Sequence, residues 1–237
     1  MQFLLDHLTS IVVAGVLILL LQVTQVRTQH ATVEQVTSHS VKAKTLVFGQ
    51  WVESDVLEIG ANFGTNLYRF EAPVVEDITG NTIRWEFYSD STRADGTETR
   101  IFKRYRLVEK GLAQFDLPDA TFQMYQVERD SLVLDYASDG TPPRLADIAE
   151  TDWASAGESI ETVSFFKIDL LDRVGETPLT DDGDVDVYAV DYIRIRFGVV
   201  PEHILASGGG KGNTLRELYW AKTLKVRPYW VPPPSQS

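Results

Sequence analysis

Four aspartates lie within one short segment of the sequence. The segment 180–186 reads TDDGDVD, and its carboxylates belong to Asp181, Asp182, Asp184 and Asp186. Oxygen-rich loops of this kind bind Ca²⁺, which takes about six to eight oxygen ligands. The EF-hand spacing with its terminal glutamate is absent, and a glycine turn rich in aspartate is also typical of an exposed loop. The sequence therefore leaves two interpretations, a calcium site and an exposed acidic turn, and it favours the turn.

A second segment with chemical potential, residues 208–214, reads GGGKGNT. A phosphate-binding Walker loop requires Ser or Thr directly after its GK pair, and it opens a helix whose N-terminus receives the anion. Here Gly212 follows the GK pair, Asn213 and not Ser or Thr follows that last glycine, and the segment lies between two predicted strands. We interpret it as a flexible connection between those strands.

The residue types that most often carry catalysis are scarce or scattered. The chain has no cysteine and only 4 histidines, which excludes disulfides, thiolate metal sites and cysteine nucleophiles. Two well-placed carboxylates would suffice for a glycosidase, but nothing in the sequence marks a particular pair. We therefore expect no enzymatic activity and no cofactor, apart from calcium under the first interpretation of the acidic loop.

Length and charge limit the remaining classes. The 237 residues are enough for one good-sized domain with an appendage, and 43% hydrophobic with 24% charged residues is an ordinary globular balance. The formal net charge is -12. A chain this acidic has no electrostatic attraction to phosphate backbones, so we expect no nucleic-acid partner.

The N-terminus predicts a membrane anchor over residues 8–26. Its apolar core, residues 11–21, reads IVVAGVLILLL, and the flanking residues extend it to the roughly 20 residues that a spanning helix needs. The first ten residues contain no Lys or Arg, and no small-residue cleavage site follows, so an uncleaved anchor is favoured over a signal peptide. A buried core helix is disfavoured because the segment is apolar on every face.

An amphipathic helix is predicted to continue the anchor over residues 27–60. There is no proline between residues 23 and 59, and apolar residues recur at spacings of three, four, five and seven. A flexible linker would contain Pro, Gly and Ser instead. We expect the helix to end near Gly60, which separates an N-terminal domain, residues 1–60, from a head domain, residues 61–237.

The head domain is predicted to be rich in antiparallel strands. TIRWEFYSD (82–90) and TRIFKRYRLVEKG (99–111) alternate apolar and polar residues on either side of a turn and form a hairpin. A polar loop or short helix is expected over 140–157, and a loop over 201–213. The other predicted strands lie within 121–127, 131–136, 163–175, 187–200 and 217–230. The fold class is therefore α+β, a long N-terminal helix followed by an antiparallel β-rich head.

This arrangement resembles the type IV pilin superfamily. A hydrophobic helix that runs into an amphipathic half and then a sheet-rich head has the superfamily's layout, and the head resembles minor pilins and minor pseudopilins of the J or W kind. Their closing pair of strands, the second rich in Lys or Arg, is similar to VDYIRIRFGVV and LYWAKTLKVRP here. The prepilin signature is absent, which indicates either a leader outside this numbering or a divergent protein that escapes prepilin processing.

The resemblance implies a structural subunit of an extracellular or periplasmic filament. The subunit would be held in the inner membrane before assembly, its head exported, and its partners would be other pilin-like subunits. Some pseudopilins hold calcium in head loops, which implies such a role for the acidic loop. An early carboxylate in the family neutralises a neighbour's N-terminal amine, which implies that Asp6 pairs with Met1 of the adjacent subunit; alternatively, Asp6 marks the headgroup boundary.

A second class of function stays open from the sequence. The chain can also be interpreted as a membrane-anchored β-sandwich binding module, adhesin-like, that does not polymerise. The two classes differ in the surroundings of the apolar helix, which lies in a helix bundle in a filament and in lipid in an anchored monomer.

Overall fold

A computed structural model describes residues 2–59, 70–114, 121–159, 162–200 and 217–226, with the side chains of residues 2–6, 8, 34, 113, 114, 121 and 122 outside the description. Its main elements are one long helix and eight strands. Their bounds are α1 Gln2–Leu57, β1 Val74–Val75, β2 Thr82–Thr92, β3 Glu98–Gln114, β4 Thr121–Asp135, β5 Ala154–Glu158, β6 Thr162–Leu171, β7 Tyr192–Val200 and β8 Leu218–Lys225.

The eight described strands form one sheet with antiparallel pairing throughout. The strand order is β1-β2-β3-β4-β6-β7-β8, and β5 pairs with β4 outside this path. The predicted α+β class, a long N-terminal helix followed by an antiparallel β-rich head, is confirmed. The predicted hairpin corresponds to β2 and β3, and the predicted closing pair corresponds to β7 and β8.

The chain forms two compact units, Met1–Ala43 and Lys44–Ser237. The described part of the first unit is helical throughout, and the second contains the end of α1 together with the sheet. Phe48, Val52 and Val56 are buried in the second unit at spacings of four residues, which is the stripe that an amphipathic helix presents to a core. The last turns of α1 therefore belong to the head.

Aromatic side chains at every second strand position pack on the face of the sheet that contacts the end of α1. Trp85 and Phe87 on β2 lie 4.6 Å apart between ring centroids, and Phe87 stacks at 5.9 Å on Tyr105 of β3. Tyr105 in turn lies 6.1 Å from Phe166 of β6. All four rings are buried. The period of two in the sequence placed them on one face, as expected for strands that cover a core on one side.

One predicted break between strands is wrong, and one strand was not predicted. The sequence predicted separate strands over 121–127 and 131–136, but β4 is continuous across the intervening polar residues. Arg129 and Asp130 point to opposite faces of β4 and are held there by ion pairs, so the polar stretch extends the strand and does not break it. The segment 140–157, predicted as a polar loop or short helix, does contain two single-turn 3₁₀-helices, but it also contains most of β5, an edge strand that was not predicted.

The sheet divides between β4 and β6. These strands share the register position Tyr125–Val163 and then diverge. Further along β6, the backbone N–H of Ile168 donates to the hydroxyl of Thr82, at the start of β2, at 3.0 Å. The Thr82 hydroxyl thus accepts the hydrogen bond that a backbone C=O of a neighbouring strand would otherwise accept from Ile168. The divergence opens a cleft whose lining residues on β6, β7 and β8 alternate with those that face α1, which places this wall of the cleft on the opposite face of the sheet.

Candidate functional site

The acidic loop predicted from the sequence lies in the connection between β6 and β7. Its turn is closed by backbone hydrogen bonds, from Thr180 N–H to Asp184 C=O at 2.8 Å and from Gly183 N–H to Thr180 C=O at 3.0 Å. A φ of 88° at Gly183 explains the glycine, since side chains disfavour that conformation. The Asp186 carboxylate accepts a hydrogen bond from Tyr188 N–H at 3.0 Å.

Of the four carboxylates, that of Asp186 takes part in the turn through its side chain, and Asp184 takes part through its backbone C=O. Among the described residues, no group of three or more His, Asp or Glu side chains is placed to share a metal ion. The calcium interpretation of Asp181, Asp182, Asp184 and Asp186 therefore gains no support from the geometry, and it stays a prediction from the sequence.

The predicted assembly pair is not visible at the level of side chains. Met1 lies outside the described residues, and Asp6 is described only as part of the backbone of α1. Their proposed contact between neighbouring subunits stays a prediction.

The apolar part of α1 presents hydrophobic side chains on all sides. Every large hydrophobic residue from Ile11 to Leu21 is exposed, with exposed fractions of 51–69%. Of the described part of the chain, α1 is the helix that is long and apolar enough to cross a membrane. A candidate single-pass anchor is therefore present at the N-terminus of the chain.

A row of threonines follows the apolar run on one face of α1. Thr24, Thr28 and Thr32 are four residues apart, and each hydroxyl donates to the backbone C=O four residues earlier, at 2.8–2.9 Å. Because the helix itself satisfies each hydroxyl, the threonines expose their methyl groups. The face that they form is compatible with lipid or with another helix.

The end of α1 is fixed to the sheet by aromatic contacts. Phe48 meets Phe197 of β7 edge to face at 4.8 Å, and Trp51 meets Tyr105 in the same way at 6.3 Å. A Cβ at Gly49 would lie 2.6 Å from the indole ring of Trp220 on β8, which is closer than any unstrained contact. Glycine at this position is therefore what allows α1 to lie directly on Trp220.

A buried carboxylate lies at the centre of this helix–sheet contact. Asp55 in the last turn of α1 is only 3% exposed. Its Oδ1 accepts from Lys103 Nζ at 2.6 Å and from the Arg129 guanidinium at 2.8 Å, and its Oδ2 accepts from the Tyr105 hydroxyl at 2.6 Å. The charge balances, because Glu58 provides a second carboxylate to Lys103. We call Asp55, Glu58, Lys103, Tyr105 and Arg129 the Asp55 cluster.

Disruption of the Asp55 cluster has a large unfavourable free energy. A buried charge that loses its partner costs far more than the pair contributes, because nothing else compensates its lost hydration. Burial, followed by the nearby Asp55 charge and its hydrogen bond, raises the pKa of Tyr105 well above the usual value, so its hydroxyl stays a donor at any physiological pH. The Arg129 guanidinium also lies 5.1 Å from the centroid of the Trp51 ring, a cation–π distance.

A second ionic group lies on the other face of β3. Arg104, almost fully buried, donates to Asp130 Oδ2 through Nε at 3.0 Å and NH2 at 2.9 Å, and its guanidinium lies 4.4 Å from the Trp153 ring centroid. Glu150, on a 3₁₀ turn, binds its remaining NH1 at 2.5 Å. Arg106 adds a hydrogen bond to the same carboxylate oxygen at 2.7 Å. This group attaches the segment between β4 and β5 to the sheet.

The Asp55 cluster was missed in the sequence, although a signal for it exists. Asp55 occupies a position of the apolar stripe, three residues after Val52 and four before the buried Ile59. Lys103 interrupts the apolar face of β3 in the same way, next to Tyr105. A carboxylate in one apolar stripe and a cation in another predict a buried ion pair between the two elements.

The geometry gives both ionic groups, the Asp55 cluster and the Arg104–Asp130 group, a structural role. The charged side chains of each ionic group pair within the head, and each group joins elements that are distant in sequence. The Asp55 cluster holds the end of α1 on the sheet, while the apolar residues 11–21 of the same helix are exposed. Comparison of the chain with protein-family models, with curated proteins and with solved structures finds no match.

Proposed function

We propose that the chain is a structural subunit of a pilin-like filament, type IV pilus-like or pseudopilus-like, that assembles through its N-terminal helix. Before assembly, the apolar segment holds the subunit in the inner membrane with its head exported to the periplasm or the cell surface. After assembly, the same segment packs against the helices of other pilin-like subunits in an extracellular or periplasmic filament.

One observation carries this proposal. A single helix, α1, exposes large apolar side chains throughout residues 11–21 and is built into the core of the head through Phe48, Val52, Asp55 and Val56. Helices that are apolar on every face pack about equally well against lipid and against each other. Transfer of such a helix from a bilayer to a helix bundle therefore requires little free energy. A subunit that polymerises in this way needs its helix firmly fixed to its head.

The Asp55 cluster supports the same proposal. A simple anchor needs only an apolar helix, and a flexible linker would suffice to join it to a domain. Here aromatic packing and a charge-balanced buried network join the helix to β3 and β4. Such an attachment resists separation of the helix from the head, because breaking it leaves buried charges without partners.

The alternative, a membrane-anchored binding module that does not polymerise, has its own support. The cleft between β4 and β6 offers polar and aromatic side chains on the face of the sheet that α1 does not cover. This function needs the apolar helix only as an anchor in lipid.

Cysteine crosslinking separates the two functions, since the natural chain contains no cysteine. We expect Leu17→Cys, on the apolar helix, to give covalent dimers in high yield after detergent is removed from the full chain and a short thiol-reactive crosslinker is added, since one thiol per subunit joins only two subunits. Ile78→Cys, on a 92% exposed turn of the head, is the matched control and should give much less crosslinking. Equally low dimer yields from both variants, with no filaments under negative-stain microscopy, would rule out polymerisation.

Asp6 provides an independent test. A carboxylate among apolar helices needs a cation, and the N-terminal amine of a neighbouring subunit can supply it. Asp6→Asn preserves size and removes the charge, so it should leave the chain folded and membrane-inserted while reducing filament yield. Wild-type yield in both Asp6→Asn and Asp6→Ala would make Asp6 a headgroup-boundary residue.

A further inference from the structure

The divergence of β4 from β6 creates a cleft of about 420 Å³ on the face of the sheet opposite α1. We name it the β4–β6 cleft. Its side chains come from the β1–β2 turn, from β4 and from the β6–β7–β8 side of the sheet, and those used below are Asn81, Tyr125, Phe165, Lys167, Arg196 and Tyr219.

Two polar atoms of the cleft lack partners of their own. Asn81 is 2% exposed and its side chain is hydrogen bonded to Tyr125, yet its Oδ1 is buried without a donor. Arg196 pairs with Asp169 through NH2 at 3.0 Å, while its Nε is buried without an acceptor. Buried polar atoms are nearly always satisfied, so one orphan acceptor and one orphan donor lining the same cleft indicate a missing partner.

Lys167 adds a cation to this cleft. Its ammonium donates to the backbone C=O of Thr79 at 3.1 Å, and within the described ranges it forms no ion pair. The positive φ of Gly80, 65°, shapes the turn that brings Thr79 to the ammonium, and a side chain at Gly80 would approach Nζ within 3.1 Å. An ammonium carries three N–H donors, so two of them remain for a ligand or for water.

One wall of the cleft is aromatic. Phe165 and Tyr219 lie 5.8 Å apart between ring centroids, and Tyr219 is 61% exposed. Gly198, the residue paired with Phe165 on β7, has no side chain, and a Cβ there would lie 2.7 Å from the Phe165 ring. Glycine at this position leaves room for the Phe165 ring, which is tilted by 36° relative to the Tyr219 ring. An exposed aromatic surface next to a few convergent polar groups is the usual composition of a small-ligand site.

We propose that the β4–β6 cleft binds a saccharide. A hydroxyl is both donor and acceptor, so a sugar with neighbouring hydroxyls can donate to Asn81 Oδ1 and accept from Arg196 and Lys167. The C–H face of a pyranose ring is apolar and matches Tyr219. A simple anion would use the two cations but would leave the Asn81 oxygen without a donor and the aromatic wall without a contact.

The inference is independent of polymerisation, because every residue that it uses lies in the unit Lys44–Ser237. The full chain is placed in phosphatidylcholine nanodiscs, which contain no sugar, and is titrated with the methyl glycosides of galactose, N-acetylglucosamine and glucuronic acid. Inorganic phosphate is titrated in parallel. Saturation-transfer NMR on the sugar protons reports binding, and we expect at least one glycoside to bind with its ring C–H protons most strongly saturated.

Tyrosine variants locate the site. We expect Tyr219→Ala to weaken sugar binding at least tenfold and Tyr219→Phe to retain it, because the ring provides the contact. Tyr188→Ala removes another tyrosine, 67% exposed in the β6–β7 connection, and should leave the affinity unchanged. The inference is overturned if no glycoside binds at millimolar concentration, if Tyr219→Ala and Tyr188→Ala weaken binding equally, or if phosphate alone binds.

Discussion

Lys103 Nζ lies 2.6 Å from Asp55 Oδ1, so a buried ion pair joins the third strand of the sheet to the end of the long helix. The side chains of these two residues are 8% and 4% exposed. At that depth water cannot replace a lost partner, so removal of either residue leaves the charge of the other without compensation. The firm attachment of α1 to the head depends on it.

Asp55→Ala should destabilise the head strongly. The substitution leaves Lys103 and Arg129 buried without a carboxylate, and breaking a buried pair in this way costs about 3–5 kcal/mol. Urea unfolding of the full chain in detergent, followed by tryptophan fluorescence, measures the loss. Glu58→Ala is the control, because Glu58 is 54% exposed and its removal should cost up to about 1 kcal/mol. Equal effects of the two substitutions would contradict a central role for Asp55.

Gly49→Ala should destabilise the head although it improves helix propensity. Alanine favours a helix over glycine by about 1 kcal/mol, but the added Cβ would lie 2.6 Å from the Trp220 ring. Overpacking of this kind typically costs about 1–3 kcal/mol. We expect a net loss of stability in urea unfolding and a change in tryptophan emission.

Gly15→Ala is the matched control for this prediction, because nothing lies within 4 Å of a Cβ at that position of the same helix. It should leave the unfolding of the head unchanged. A more stable Gly49→Ala variant would show that Trp220 moves aside without cost.

Acid should weaken the head partly through Asp130. Burial opposes the charged form of Asp130, but the hydrogen bonds from Arg106 and Arg104 outweigh it and lower its pKa in the folded protein. A carboxyl whose pKa is lowered by folding contributes stability above its unfolded pKa, about 3.9, and this contribution is lost as the pH falls through the folded pKa. Asp130→Asn should therefore be less stable than wild type at pH 7 and should lose less stability on acidification.

Urea unfolding at pH 7 and near pH 3 tests this difference. Asp135→Asn is a suitable comparison, since its carboxylate on the same strand is 53% exposed and pairs with Arg93 at the surface. If acid weakened Asp130→Asn as much as wild type, the Arg104–Asp130 pair would not contribute to the pH dependence.

The sequence predicted the elements of this fold better than their polar contacts. Alternation placed Trp85, Phe87 and Tyr105 on one face of the sheet, since burial on one side imposes a period of two on each strand separately. The Asp55 cluster depends on which helix position meets which strand, and no single segment contains that information. The continuity of β4 through Arg129 and Asp130 was missed for the same reason, because their partners lie on other elements.

The cleft between β4 and β6 could also not be predicted from the sequence. It exists because the two strands diverge after Tyr125 and Val163 and because Thr82 satisfies the N–H of Ile168. Both contacts depend on which strands become neighbours over long sequence distances, whereas the alternating pattern of each strand determines only which of its residues share a face.

The acidic loop should show no response to calcium. The carboxylate of Asp186 accepts from the backbone, and no described group of three carboxylates is placed to share an ion. We expect the melting temperature of the full chain to be the same in EDTA and in millimolar Ca²⁺. A rise with Ca²⁺, abolished in Asp182→Asn or Asp184→Asn, would instead establish the calcium interpretation, since a ligand that binds only the folded state stabilises it.

Removal of residues 1–27 should produce a soluble, mostly monomeric protein. The truncation deletes the exposed apolar run from Ile11 to Val26 together with Asp6 and Arg27, so the formal net charge of the remainder stays at -12. The Asp55 cluster and the aromatic contacts of Phe48 and Trp51 are retained, and net charge keeps the molecules dispersed. Sedimentation velocity should give one species of monomer mass, and the protein should stay in the supernatant when lipid vesicles are pelleted. The full chain, reconstituted in parallel, should pellet with the vesicles. Filaments or vesicle binding by residues 28–237 would show that the apolar segment is neither the anchor nor the assembly element.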